Sequence, residues 1–421
     1  STVQSTVQSN IEKFDIAIVG GGLVGASLAC ALAPLGYRVT VLENVSFRAT
    51  AQPSYDDRTL ALSYSSCRIL EGLDLWPGLE EHATKIREII VDEPGRPGRV
   101  VMQADEMGLE AFGNVVEARS FGAAVLARLD ALEGVELRCP ARVTAMEADE
   151  RRALLSLEGS QGPETIEAKL VVAADGAASV IRNILGVPVE SRDYGQTAVI
   201  CNITPEQAHR GRAFERLTAT GPFAVLPHVG ARCGLVWSVA SEDAAGLLEM
   251  PEEEFLAAAQ NKFGNELGAF TKIGQRSSYP LKLVRAQKDT GPRTVILGNA
   301  AHAIHPVGAQ GFNLGLRDVA VLAEILSDNR TADPGEDGLL QAYSDWRKPD
   351  HDSTVDWSDG MTRLFANQAP IASLLRSAGM FAHALIPPLR RKLASGFMGY
   401  RGRVPRLALG ERLAGIRGDH R

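Results

Sequence analysis

A chain of 421 residues with 45% apolar side chains is too long for one ordinary core and has enough apolar material to fill two connected ones. Its net charge of −7, with no basic stripe interleaved with aromatics through the first three hundred residues, argues against nucleic acid as a partner. Five cysteines, Cys30, Cys67, Cys139, Cys201 and Cys233, are widely spaced and form no Cys-x-x-Cys pair, as suits core residues in a reducing compartment. No stretch approaches the ~18 consecutive apolar residues of a membrane span. The first thirteen residues are polar and lack the basic start and apolar core of a signal peptide, so a loose tail and a cytoplasmic setting are expected.

A short buried strand is predicted from Phe14 to Val19. Gly20-Gly21-Gly22-Leu23-Val24-Gly25 follows at once, then a helix from Ala26 to Leu35 and a second apolar strand, Arg38 to Leu42, ending in Glu43. Gly20 suits the tight turn, Gly22 an approach to a pyrophosphate, Gly25 the packing of helix on strand, and Glu43 the ribose hydroxyls of a dinucleotide. The pattern does not separate NAD from FAD. Ala61 to Leu70 reads as a helix, preceded by Arg58, and Phe121 to Leu132 as another, preceded by Arg119. Each arginine suits either a phosphate contact or a plain ion pair.

Strands are then expected through Leu137 to Ala145, Ala153 to Leu157 and Ile166 to Val172. The last delivers Asp175-Gly176 with Ser179 and Arg182, which reads equally as a carboxylate beside a ligand crevice and as a capped turn. Between Tyr194 and Tyr279 the pattern changes to alternating strands, Thr197 to Ile203, Phe223 to Pro227 and Gly234 to Ala240, broken by an amphipathic helix from Glu252 to Phe263. This is the signature of an inserted, mostly antiparallel sheet.

The stretch from Leu297 to Asp318 carries Gly298, Pro306, Gly308, Gly311 and Gly315 between an apolar strand, Thr294 to Leu297, and a helix with Leu314, Val319 and Leu322 on one face. A strand, a glycine-rich loop and a helix start make an anion site, because first-turn N–H groups and the helix dipole point at whatever lies over the loop. His302 and His305 have His-x-x-His spacing, but no third ligand is evident and hydrogen-bonded structural roles are expected rather than a metal. Leu339 to Phe365 and Ile371 to Leu389 are predicted helical, with Pro387-Pro388 ending the second. From Leu385 onward nine arginines and lysines face only Glu411 and Asp419, a basic tail that either contacts anionic lipid or is simply solvated.

The three motifs, in this order, resemble the aromatic-ring flavoprotein monooxygenases related to para-hydroxybenzoate hydroxylase. Asp193-Tyr-Gly-Gln-Thr-Ala198, His209-x-Gly-x-Ala-Phe-Glu-Arg216, Gly221-Pro-Phe-Ala-Val-Leu-Pro227 and Gly311-Phe-Asn-Leu-Gly-Leu-Arg-Asp318 are similar to its ubiquinone-biosynthesis branch, particularly the 2-polyprenyl-6-methoxyphenol hydroxylases. The resemblance implies an α/β fold: a doubly wound, Rossmann-like FAD-binding domain (14–72, 112–186 and 285–330), an inserted antiparallel β-sheet substrate domain (73–111 and 187–284) and a helical C-terminal region (331–421). It implies FAD as cofactor, NAD(P)H as transient reductant, and O2 passed through a flavin C4a-hydroperoxide to a lipophilic phenol. Along the FAD it sets Gly20, Gly22, Leu23, Val24, Gly25, Glu43, Arg58, Arg119, Val143, Asp175, Gly298, Asn299, Pro306, Gly308, Gln310, Gly311, Phe312 and Asn313. His305 and Pro306 are the candidates for contact at the flavin ring, and Phe223, Leu226, Pro227 and His228 for contact with substrate. His228 is the titratable candidate for the substrate hydroxyl, with an exposed loop histidine as the alternative.

Two positions depart from the wider pattern. Asn299 stands where most of the superfamily has Asp, and Gly308-Ala309 reverses the small-residue order expected before Gln310. A non-catalytic flavin-binding subunit of a biosynthetic complex, or another flavoenzyme of the same fold, are the competing readings. Trp76, Trp237, Trp346 and Trp357 do not form the Trp-x-Trp motif of flavin halogenases. Peripheral membrane contact through the basic C-terminus, and homo-oligomer formation, are left open by the sequence.

Overall fold

A computed structural model describes residues 11–47, 58–304, 310–367 and 370–413. The chain opens with β1 (Glu12–Val19), α1 (Leu23–Leu32) and β2 (Val39–Leu42), then β3 (Thr59–Ser63), α2 (Tyr64–Gly72), β4 (Thr84–Ile86), β5 (Glu88–Asp92) and β6 (Val100–Gln103). β7 (Gly113–Glu117) leads into α3 (Ala118–Ala131), β8 (Val135–Arg138), β9 (Ala141–Ala148), β10 (Ala153–Gly159), β11 (Gly162–Ala173) and α4 (Val180–Ile184). Next come β12 (Val189–Pro205), β13 (Arg212–Thr218), β14 (Gly221–Pro227), β15 (Cys233–Ala240), α5 (Ser241–Glu249), α6 (Glu252–Phe263), β16 (Phe270–Ile273) and β17 (Ser277–Ala286). β18 (Thr290–Gly291), β19 (Thr294–Ile296), β20 (His302–Ala303), α7 (Gln310–Asp328), α8 (Asp337–Ala366), α9 (Pro370–Leu385) and α10 (Pro387–Met398) complete it.

Three sheets result. In the first, β19, β11, β1, β2 and β8 run parallel, and β9, β10 and β18 join antiparallel. β1 is buried along most of its length and lacks the alternation of a one-sided strand, as expected of a strand covered on both faces. The second sheet, ordered β20-β17-β12-β15-β14-β13-β5-β6, is antiparallel except for the β13–β5 pair. α5 and α6 cover one of its faces, where Trp237 meets Phe223 and Phe255 at ring separations of 5.5 Å each. The third is the small sheet β3-β7-β4.

The differences from the sequence reading have local causes. Ala61 to Ser63, expected to start a helix, instead ends a strand from Thr59, because that segment pairs residue by residue with β7 (Leu60 with Val116, Leu62 with Asn114), and Ser63 then caps α2 by accepting from Ser66 N. The single strand expected from Leu137 to Ala145 is two, broken at Pro140, which has no N–H to donate: β8 pairs with β2 and β9 with β10. Pro387-Pro388 ends α9 as expected, but it also opens α10, since proline at the first helical position loses no hydrogen bond.

Candidate active site

The register of the parallel sheet assembles the first site. Val19 pairs with Leu42 on one side and Ala173 on the other, and Ala173 pairs with Ile296. The residues just past these four strand ends, Gly20, Glu43, Asp175 and Gly298, therefore emerge side by side at the carboxyl edge, where open α/β sheets bind their ligands. They line a cleft of about 1640 Å³, mouth included, with Gly22, Leu23, Val24, Arg58, Val143, Asn299, Gly311 and Phe312. Asn44, Val45, Leu60, Ala141, Arg142 and Val180 also line it, and sequence reasoning missed them because they flank motifs rather than belong to them.

The glycines are required by close approach. A Cβ on Gly20, which sits at φ +106°, would lie 2.3 Å from the carbonyl oxygen of Ala174, and a Cβ on Gly25 would lie 2.1 Å from that of Gly20. Gly25 thus does not line the cleft; it lets α1 seat on the strand end. Val24 fits between Gly298 and Gly315, whose hypothetical Cβ atoms would lie 3.2 and 3.0 Å from its methyls, so the two glycine motifs pack on each other.

No side chain caps the first turn of α1, and no acid lies in it, which leaves its N–H groups and dipole for an external anion. Glu43 accepts from Gly21 N at 2.7 Å and from Val45 N at 2.8 Å, fixing its carboxylate at the rim with lone pairs left for hydroxyl donors. Asp175 fulfils both of its sequence readings: it lines the cleft, and it accepts from Ser179 Oγ and, at 2.7 Å, from Val180 N. The buried Arg182 guanidinium donates to Ala300 O at 2.8 Å and Ala177 O at 2.7 Å, tying α4 to the Gly298 turn. Arg119 is exposed at the start of α3 and is not among the residues lining the cleft. His305, Pro306, Gly308 and the side chain of Gln310 lie outside the described residues.

A second, apolar pocket, about 510 Å³ with the open space at its mouth included, adjoins the first, walled by Ala61 to Ser63, Ile86, Ile89, Phe112, Ala213, Leu226, Asn313 and Phe397, with Glu215 the only ionisable side chain among its described lining residues. Two elements separate the spaces. β3 presents Leu60 to the cleft and Ala61 to Ser63 to the cavity; the first turn of α7 presents Gly311 and Phe312 to the cleft and Asn313 to the cavity. Asn313 pins these elements together, accepting from Ser63 N at 2.9 Å and Ser66 Oγ at 2.6 Å and donating to Ala61 O at 2.9 Å. Its side chain thus braces the partition rather than simply facing a cofactor.

Of the four expected substrate contacts, only Leu226 lines the cavity. Phe223 points to the opposite face of β14, against Trp237, because both faces of this strand are buried and its apolar run carries no polar alternate to mark them. Pro227 is buried but is not a lining residue. His228 is neither exposed nor in the cavity: it is 1% exposed, accepts from Val229 N through Nδ1 at 2.7 Å and therefore donates from Nε2 to Glu117 at 2.8 Å. Burial pushes its pKa down against the pull of Glu117, so it acts as a neutral clamp between β14 and β7.

Behind the Gly298 turn lies a buried charge network. Asp318 accepts from Gly298 N at 3.1 Å, from His302 and His351 at 2.6 Å each, and from Arg347 at 2.7 Å. Asp350 accepts at 2.7 Å from both Arg317 and Arg347. The sequence offered no third ligand near His302, whereas the fold brings Asp318 and His351 beside it. Arg347 holds the same carboxylate, and its permanent charge opposes a metal ion there, so these hydrogen bonds account for the cluster.

Cleft, partition and apolar cavity together define a flavin-binding aromatic hydroxylase fold, and the comparisons agree. Residues 13–358 match the family described as an FAD-binding domain, and the chain belongs to this family of flavoprotein monooxygenases. Within it the chain stands with the hydroxylases of ubiquinone biosynthesis. It is 39% identical over 388 residues to "Ubiquinone hydroxylase UbiL" of Rhodospirillum rubrum, spanning 91% of this chain and 89% of that one. It is 31% identical over 383 residues to "3-demethoxyubiquinol 3-hydroxylase" of Escherichia coli, spanning 90% and 96%. The p-nitrophenol 4-monooxygenase PnpA of Pseudomonas putida shares the fold at a TM-score of 0.76 and 20% identity, over 93% of this chain and all of that one. FAD fits the donor set: an open helix start for its pyrophosphate and a fixed carboxylate for its ribose. Glu43→Ala should weaken FAD binding by about 1.5–3 kcal/mol, roughly a 10- to 150-fold rise in Kd, read by fluorescence titration of the apoprotein.

Proposed function

We propose that this chain hydroxylates the ring of a polyprenylated phenol of the 2-polyprenyl-6-methoxyphenol type, with NAD(P)H as electron donor and O2 as oxygen source. The observation that carries the reading is the partition: one helix turn, Gly311 to Asn313, is a wall of both the dinucleotide cleft and the apolar cavity. A ring held in the cavity therefore lies across that turn from a flavin held in the cleft. Bound FAD supplies the redox and oxygen chemistry, and the protein supplies position, charge and dryness.

The first turn of α7 carries no acidic residue, so its dipole favours negative charge on a flavin edge at the partition. The apolar walls exclude water from the ring. Glu215 is assigned as the acceptor of the phenol hydroxyl, drawing the proton off the oxygen and enriching the ring for electrophilic attack. It shares a strand face with Ala213 and Leu217, the alternation that would have flagged it in the sequence. The electron-rich ring and the prenyl tail are the chemistry this dry cavity suits, and the relatives named for ubiquinone hydroxylation support that class.

The test is direct. The purified protein should carry FAD near 1:1, and a short-chain 2-prenyl-6-methoxyphenol should stimulate its NAD(P)H oxidation with formation of a hydroxylated product. A yellow protein that forms no product would instead fit a flavin-binding scaffold. Glu215→Gln should lower turnover about 100-fold while leaving FAD content unchanged, measured by stopped-flow oxidation and product assay; undiminished turnover would remove Glu215 from the mechanism.

A further inference from the structure

The helical hairpin of α9 and α10 carries features that the hydroxylation chemistry does not use. On α9, Leu374, Ala378 and Leu385 recur at spacings that set them on one helical face, and Leu374 and Leu385 are 70% and 75% exposed. Leu375, beside them, is 63% exposed. The chain then turns through exposed Leu385, Ile386, Pro387 and Pro388 into α10, whose first turns carry exposed Arg391 and Lys392. Scattered surface leucines need no explanation, but an apolar elbow rimmed by cations does.

The structure also redraws the basic tail. Arg401 and Arg403 lie over the rings of Trp357 and Trp346, Arg406 pairs with Glu324 and Asp328, and Arg412 pairs with Asp74. Those cations meet partners on the protein, so among the described residues of the tail the outward charge is concentrated at the elbow. Beside it opens a groove of about 760 Å³, mouth included, lined by exposed Pro387, Arg391, Gln103 and Glu106, by Arg390, which pairs with Glu106 at 3.5 Å, and by Met102, Met107 and Phe112. Phe112 also walls the apolar cavity next to the partition. Phe112 is therefore a wall shared by groove and cavity, and the elbow's Pro387 and Arg391 are walls of the same groove.

We infer that the α9–α10 elbow docks on an anionic lipid bilayer, with Leu374, Leu385 and Ile386 entering the acyl boundary, Arg391 and Lys392 meeting the headgroups, and the groove admitting the lipophilic tail toward Phe112. The entry path rests on the proposed substrate class; the docking does not. A second copy of the chain is a poorer occupant, because a twofold contact centred on the elbow would bring Arg391 and Lys392 against their own copies. An anionic surface complements them, at about a fivefold gain in partition per cation.

The experiment uses the full FAD-loaded chain with vesicles of phosphatidylcholine alone or mixed with phosphatidylglycerol. Cosedimentation should be strong on the mixed vesicles at low salt. It should fall at least about tenfold in Leu385→Asp/Ile386→Asp, in Leu374→Asp/Leu375→Asp and in Arg391→Glu/Lys392→Glu. All three variants should keep their FAD content and melting temperature, and the two leucine-face variants their turnover of a water-soluble short-chain phenol. Equal sedimentation of wild type with both vesicle types, or variants that partition like wild type, would overturn the docking; so would elbow variants that merely convert a dimer to a monomer. Absence of short-chain turnover in a wild type that still binds mixed vesicles would overturn the substrate class alone.

Discussion

Replacing Asp318 by asparagine should lower the free energy of unfolding by about 3–5 kcal/mol, because the carboxylate is removed from beneath Arg347, His302 and His351 while the guanidinium charge and the histidine donors stay buried. Asp350 still holds Arg347, so the variant folds, but a single amide oxygen must then serve the donors of Gly298, His302, Arg347 and His351, and the turn that walls the cleft loosens. Lower melting temperature and weaker FAD retention should therefore appear together. A variant that melts like wild type would show that the network is not a support of the site.

The same network sets an acid limit. Burial pushes His351 down to about 4 against the pull of Asp318, whereas a histidine in the unfolded chain takes its proton near 6.5. Between those values the unfolded chain binds the extra proton, so stability must fall as pH falls from about 6.5 toward 4, by on the order of 3 kcal/mol in all. Burial alone would raise the Asp318 carboxyl, but His351, His302 and Arg347 hold it well below the usual carboxylate range. Its contribution is present above the unfolded carboxylate value near 4 and is lost only at lower pH. Urea unfolding across pH should show the first loss in wild type and a flatter profile in His351→Gln.

The second large effect is expected at Gly25. Alanine there would put its Cβ 2.1 Å from the carbonyl oxygen of Gly20 and 3.2 Å from the Ala174 side chain, and the nearer clash is with backbone that cannot swing aside. α1 must lift from the strand end, which moves its first-turn N–H groups away from the position of a pyrophosphate and separates Val24 from Gly298 and Gly315. Purified Gly25→Ala should retain less than about a tenth of the wild-type FAD, a cost of 1.4 kcal/mol or more. Full retention, measured from the flavin absorbance of the released cofactor, would refute the close-packing account.

What the sequence made legible was local. The first glycine loop, Glu43 and Asp175-Gly176 sit next to their own strands, so spacing alone located the cleft. The cavity was not legible in that way, since its walls come from β3, β13, β14, α7 and α10, brought together only by the tertiary fold. Leu226 lines the cavity and Phe223 faces away from it, a difference the sequence could not show, because a strand buried on both faces gives no sign of which face is which. His228 was misread because its partner Glu117 lies more than a hundred residues earlier. Thr59 to Ser63 was drawn into a sheet by β7, which no local propensity reports. Within the basic tail, the partners of Arg401, Arg403, Arg406 and Arg412 were not legible, because Trp357, Trp346, Glu324 and Asp74 are all remote in sequence.

Transfer of oxygen across the α7 partition to a phenol ring in the apolar cavity should be visible by isotope incorporation. Incubated with a short-chain 2-prenyl-6-methoxyphenol, NAD(P)H and 18O2, the FAD-loaded protein should yield a product heavier by one labelled hydroxyl on the ring. Oxidation of NAD(P)H that releases only hydrogen peroxide, or a product whose new oxygen comes from water, would contradict it.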